Sequence, residues 1–247
     1  MIPQHLMVEH NCSECDHRDT GYFCDVALEK LRLVESAKIS NAYSSGSMLF
    51  IEGQPANGVY LLCQGEVKLY TCSKEGKVVI LHIARPGELL GLSSVISGGS
   101  HEASAEVIQP SQANFISKGD ILRLIREHPE IAMSAIRQLS SRYIDACHQV
   151  RTFVLSGSVA DKLAQLMLDW CSGDLPTVRT DNDGFKVKFR YTHEEVSEMI
   201  GSSRETVTRV LTDFRNRGLI RLKGSDLYIP SFRNLELSIG SKSRDAL

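Results

Sequence analysis

Between Pro129 and Gly157 the chain runs for 27 residues without a proline or a glycine, enough for about seven turns of helix. Within it, Ile136, Leu139, Tyr143, Ala146, Val150 and Phe153 recur at intervals of 3, 4, 3, 4 and 3. That alternation is the a/d seam of a coiled coil, so the spacing predicts a dimerisation helix over 128–156. The same stripe would also serve a helix packed on its own domain. The dimer reading is preferred because the seam leads directly into the C-terminal part of the chain, where basic residues gather.

The texture before this helix is different. Glycines recur from residue 46 to residue 91, separating short runs rich in β-branched and aromatic residues. Val59–Cys63 and Glu66–Cys72 flank Gln64-Gly65, which predicts a tight hairpin, and Val78–Ala84 reads as a further strand. Short strands at this spacing suggest a compact β-roll over 39–127 rather than a parallel sheet. Residues 1–38 form a polar, cysteine-bearing segment ending in a short helix near Val26–Ala37. A second domain is expected over 157–232, with a tail at 233–247. The fold class is therefore α+β.

Charge shows where function lies. Hydrophobic residues make up 42% and charged residues 23%, with net charge −2, so the chain as a whole does not attract polyanions. Yet Arg204 to Lys223 carries six basic residues against two acids, while Met1 to Ala37 carries seven acids against three bases. No basic-then-apolar leader and no bilayer-length apolar run is present, so a cytoplasmic protein without membrane contact is expected. No Ser-His-Asp, paired-carboxylate or phosphate-loop pattern stands out in context, and an enzyme is not expected.

The basic stretch contains a motif. Thr192-His193-Glu194-Glu195 has capping-box spacing ahead of a short helix with Val196, Met199 and Ile200 on one side. Gly201 ends that helix. A second helix buries Val207, Val210, Leu211 and Phe214 at i, i+3, i+4, i+7 and turns Arg204, Glu205, Thr208, Arg209 and Thr212 outward. Two short helices on a glycine turn, the second polar and basic at its start, suit a major groove. Arginine donates in pairs to guanine and glutamate accepts from cytosine. Ser202, Ser203, Thr206 and the helix N-terminus supply donors to phosphates. Leu219–Leu222 and Leu227–Ile229, joined by a Lys223-Gly224-Ser225-Asp226 turn, read as a wing.

The string Ile200-Gly201-Ser202-Ser203-Arg204-Glu205-Thr206-Val207-Thr208-Arg209 resembles the recognition motif of the cyclic-AMP receptor/FNR (CRP/FNR) family of bacterial regulators. The resemblance spans about Ser40 to Ile229. It includes the roll string Leu49-Phe50-x2-Gly53-x4-Gly58-Val59-Tyr60-Leu61-Leu62-x2-Gly65-x-Val67-Lys68-Leu69 and Pro86-Gly87-Glu88-x2-Gly91. It implies a homodimer with an effector-binding roll, a long dimer helix and a winged helix. It also implies that Arg204, Glu205 and Arg209 read TGTGA-like half-sites of a palindrome in double-stranded DNA, with RNA polymerase as a protein partner. A second reading is a sensor that signals mainly through protein contacts, its DNA domain vestigial.

Effector and metal are less determined. Cyclic-nucleotide binders of the family pair Gly-Glu, for the ribose, with a later Arg-Ser, for the phosphate. Gly87-Glu88 is present here and Ser104 follows, but no arginine lies between Arg85 and Arg123, and Glu102 would repel a phosphate. Cyclic nucleotide is not expected as the effector. Cys12-x2-Cys15-x8-Cys24 suits an iron–sulfur cluster. The spacing departs from that of the family's oxygen sensors, and Asn114 stands where their roll cysteine would be. Cys63, Cys72, His10 or His17 are candidate fourth ligands, the histidines giving a zinc site instead. Three reduced thiols holding no metal are the remaining alternative.

Overall fold

The structure is a computed structural model that describes residues 11, 12, 15, 23–172, 177–180 and 184–239. The chain divides into two units, residues 1–145 and 146–247. His10 and His17 lie outside the described residues, as do 240–247 of the expected tail.

In the first unit α1 (Leu28–Ala37) leads into β1 (Lys38–Tyr43), β2 (Met48–Phe50), β3 (Gly58–Cys72), β4 (Val78–Ala84) and β5 (Leu89–Leu90). Then come α2 (Leu92–Ser97), β6 (Ser104–Ser117), α3 (Lys118–Glu127) and α4 (Pro129–Leu155). The strands form one antiparallel sheet, ordered β1-β6-β3-β4, with β2 on β6 and β5 on β3. The backbone of the roll is the β3–β6 ribbon, paired from Gly58↔Ser117 to Tyr70↔Ser104.

The hairpin expected at Gln64-Gly65 is absent, because β3 continues through it. Gly65 takes φ +86°, and a side chain there would collide with Ser111 and Pro110 of β6. Its backbone freedom is used to shift the register, not to reverse the chain. Two apolar clusters fill the roll. One joins Phe23 and Val34 to Val59, Leu61, Ile116, Ile121 and, from α4, Ile131 and Ala135. The other joins Leu62, Val67, Ala84, Ala105 and Val107.

Because the first turns of α4 pack on this core, the helix has two apolar sides. Leu139 packs against the roll. Met133, Ile136, Tyr143, Val150 and Val154 are all exposed, Tyr143 by 72% and Val150 by 61%. Joined by exposed Ser140 and Cys147, they repeat at 3, 4, 3, 4, 3 and 4. The exposed stripe thus keeps Ile136, Tyr143 and Val150 of the expected seam. Leu139 and Phe153 leave it for intrachain contacts, and Ala146 is exposed beside it.

In the second unit α5 (Val159–Ser172), β7 (Thr177–Thr180) and β8 (Gly184–Lys188) precede α6 (His193–Ile200) and α7 (Arg204–Asn216). The wing strands β9 (Arg221–Lys223) and β10 (Asp226–Ile229) follow, and α8 (Phe232–Leu237) closes the unit. The sheet order is β7-β8-β10-β9. Leu163, Met167, Val196, Val207, Leu211, Phe214, Ile220 and Leu227 are its buried centre. The domain runs past the expected boundary at 232, since Leu235 of α8 is fully buried.

Candidate functional site

The pair α6 and α7 is set by local chemistry. Thr192 accepts from the Glu195 amide at 3.1 Å, and the Glu195 carboxylate accepts from the Thr192 amide at 2.7 Å. This reciprocal cap is worth about 1 kcal/mol. Gly201 ends α6 at φ +64°, and the position of a missing Cβ lies 3.2 Å from the Phe153 ring. Phe153 therefore packs beside the turn, with Lys162 Nζ 5.0 Å from its ring centre. That explains its departure from the dimer stripe.

α7 buries Val207, Leu211 and Phe214 and leaves Arg204, Glu205, Thr208, Arg209 and Thr212 exposed. These five line one open concavity, together with Asp213 and Asn216. Ser203 is the N-cap: its hydroxyl accepts from the Thr206 amide at 3.3 Å and lies 3.0 Å from the Thr206 hydroxyl. The Ser202 amide donates to Ser197 O. Ser202, Ser203 and Thr206 thus shape the turn.

The Thr208 hydroxyl donates to Arg204 O at 2.9 Å, and Thr212 to Thr208 O at 2.8 Å. His193 Nδ1 lies within hydrogen-bond distance, 2.8 Å, of Thr208 Oγ1. Sequence reasoning missed this contact, because nothing in the spacing couples the start of α6 to the exposed face of α7. In the wing, Asp226 holds Lys186 at 3.0 Å and Lys188 at 2.7 Å. The exposed cations of β9 are Arg221 and Lys223.

The Gly87-Glu88 position in the roll is filled by the chain itself. Glu88 is 6% exposed, accepts from His82 Nε2 at 2.8 Å and from the Arg85 amide at 3.2 Å, and faces Arg142 Nη2 at 3.9 Å. Burial raises its carboxyl pKa, but the His82 hydrogen bond and the His82 and Arg142 charges outweigh it, leaving the carboxyl below its ordinary value. Gln138 clamps the next residue, accepting from the Leu89 amide at 2.9 Å and donating to Leu89 O at 2.7 Å. Ser104 accepts from the Glu52 amide at 3.0 Å. Where a phosphate partner would be needed, Glu102 instead takes the hydroxyls of Ser93 and Ser94.

The cysteines separate into groups. Burial first, then the neighbouring Cys12 and Cys15, pushes the Cys24 thiol up to about 12. Burial, then Cys24, raises Cys63 still further, with Cys12 and Cys15 adding to the effect. Lys38 Nζ donates to Cys12 Sγ at 3.1 Å, and Asn114 Nδ2 to Cys63 Sγ at 3.0 Å. Among the described residues no three His, Cys, Asp or Glu side chains already meet closely enough to hold a metal ion. Cys72 and Cys147 are exposed, and Cys171 is buried.

Residues 41–128 match the cyclic nucleotide-binding domain family, and residues 161–237 match the Crp-like helix-turn-helix domain. The chain belongs to the CRP/FNR family. It is a CRP-like DNA-binding transcription regulator. It is 28% identical over 196 residues to the CRP-like cAMP-activated global transcriptional regulator of Mycobacterium tuberculosis, covering 78% of this chain and 84% of that one. It is 25% identical over 187 residues to the global nitrogen regulator of a Nostoc species, covering 74% and 82%. The structure of FixK2 from Bradyrhizobium japonicum shares the fold, with TM-score 0.70 at 17% identity over 83% of this chain and 98% of that one. Among the described residues no helix is long and apolar enough to cross a membrane.

Proposed function

We propose that this CRP/FNR regulator binds a palindromic DNA site of TGTGA-like half-sites as a homodimer, under control of an iron–sulfur cluster held by its N-terminal cysteines. One observation carries the DNA reading: Arg204, Glu205 and Arg209 are all exposed on the face of α7 opposite its buried residues. From there two guanidiniums reach guanine edges and one carboxylate reaches a cytosine amino group. His193, at the start of the first helix, steadies Thr208 on the reading face. The dimer reading is supported by the exposed 3-4 stripe of α4, whose Tyr143 and Val150 would otherwise stay in water. A two-fold dimer matches half-sites about one helical turn apart. RNA polymerase is the proposed protein partner.

The sensor reading is supported by chemistry. Thiolates are soft ligands that suit iron–sulfur centres, and Cys12-x2-Cys15-x8-Cys24 gathers three of them in one short segment. When bound, such a cluster supplies one-electron and oxygen chemistry. The chain contributes the sulfurs, the Lys38 ammonium beside Cys12, and the buried Phe23 that anchors the segment next to Cys24. A cyclic nucleotide is not the proposed effector, because Glu88 is already engaged.

Arg204→Ala tests the DNA reading by fluorescence anisotropy on a palindromic duplex. The expected loss is about 1–3 kcal/mol per half-site, with relaxed base choice at the contacted position. Unchanged affinity and unchanged base preference would remove α7 as the reading helix.

A further inference from the structure

Thr208 stands in the middle of the exposed face of α7. Arg204 lies one turn before it and Thr212 one turn after it on the same side, and Glu205 and Arg209 line the same concavity. Its hydroxyl donates to Arg204 O at 2.9 Å. Threonine in a helix divides between two rotamers, because its hydroxyl can bond a carbonyl of the preceding turn. A further partner outside the helix narrows that choice to one.

His193 supplies that partner from α6, its Nδ1 2.8 Å from Thr208 Oγ1. A hydroxyl both donates and accepts, so it can meet Nδ1 in either tautomer of the ring. The imidazole is held in its turn. His193 is the first residue of α6 and is partly buried. It follows Thr192 directly, and Glu195 engages both the hydroxyl and the amide of that cap. The contact therefore ties the capped start of one helix to the exposed face of the other, 15 residues further along the chain.

We infer that His193 is a positioning residue for base choice: it holds the Thr208 hydroxyl in place and so fixes which part of that side chain meets the base pair beneath α7. This rests on α7 being the reading helix, and it names a residue of the other helix that sharpens the reading. The two ends of a threonine side chain are not equivalent to DNA. A hydroxyl bonds to several base edges, whereas a methyl group packs on the methyl of thymine. A Thr208 free to exchange rotamers offers both and discriminates less; a Thr208 held by His193 offers one.

The test uses the full chain and palindromic duplexes of TGTGA-like half-sites, each pair being replaced in turn by the other three. Fluorescence anisotropy gives the base preference at every position, and circular dichroism monitors the fold. Thr208→Val identifies the pair that Thr208 meets. At that pair, His193→Ala should lower the preference about threefold or more, leaving the preferences at other pairs intact. His193→Asn should keep it, since its amide hangs from Cγ as Nδ1 does, and His193→Gln, one bond longer, should lose it. On the Thr208→Val background His193→Ala should change nothing further. Should His193→Ala fail to fold, the Asn and Gln variants carry the comparison. Base preferences unchanged by Thr208→Val, or equal in the native chain and the Ala and Gln variants, overturn the inference. So does a loss spread evenly over every pair, or one that persists in the Thr208→Val background. A native chain with no base preference at any pair overturns the reading of α7 itself.

Discussion

The carboxylate of Glu88 is buried yet held in its charged form, because His82 and Arg142 face it. Its folded pKa lies below its ordinary value, so its stabilising contribution is full above the unfolded value of about 4.3 and is lost as pH falls through the folded one. Glu88→Gln should therefore cost about 2–3 kcal/mol near neutral pH, less than for a fully buried pair, since His82 and Arg142 keep 22% and 26% exposure. Urea denaturation at about pH 7 and about pH 4 checks this: the gap between native and variant should narrow in acid, and an equal gap at both would refute the charge argument. Gly87-Glu88 was visible in the sequence as half of an effector motif. Its true neighbours were not, because His82 reaches Glu88 across a turn and Arg142 comes from another element. The His193–Thr208 and Cys63–Asn114 contacts were hidden for the same reason. Pairing across elements leaves no periodic trace.

At the level of elements, strands and helices whose ends carry their own chemistry were readable in advance. β4 occupies the expected Val78–Ala84, and the Thr192–Glu195 cap starts α6 where its spacing placed it. Elements with a glycine inside were not, since Gly65 has the positive φ of a turn while lying within β3. The α4 stripe failed in phase for a related reason. A helix with two apolar sides satisfies more than one heptad assignment, and only the roll packed against Leu139 decides between them. The two sides predict opposite phenotypes. Val150→Glu should place like charges across a dimer seam and raise the dissociation constant at least tenfold, about 1.4 kcal/mol, by sedimentation equilibrium. Leu139→Ala should lower the unfolding free energy by about 2 kcal/mol with little effect on association. Equal association in Val150→Glu and the native chain would displace the seam from this face.

Across the whole molecule, the net charge of −2 conceals a local sorting of basic residues, and that sorting is the most legible sign of function in the sequence. It carries a quantitative consequence. If about six phosphates are neutralised per dimer, affinity should fall roughly a thousandfold between about 50 and 200 mM salt. Lys223→Ala, in the exposed wing, should reduce the slope of log affinity against log salt by about one per subunit, whereas Arg204→Ala should leave the slope nearly unchanged. Equal slopes for all three proteins would mean that the wing stays clear of the backbone.

The β3–β6 ribbon also sets an order of events during synthesis. Its outermost pair joins Gly58 to Ser117, so a nascent chain that has just released Cys12, Cys15, Cys24 and Cys63 still lacks the strand that holds the last of them in position. Closure of the roll must accordingly wait for translation to pass Ser117, and a ribosome stalled earlier would leave β3 displayed to the cell without its long partner.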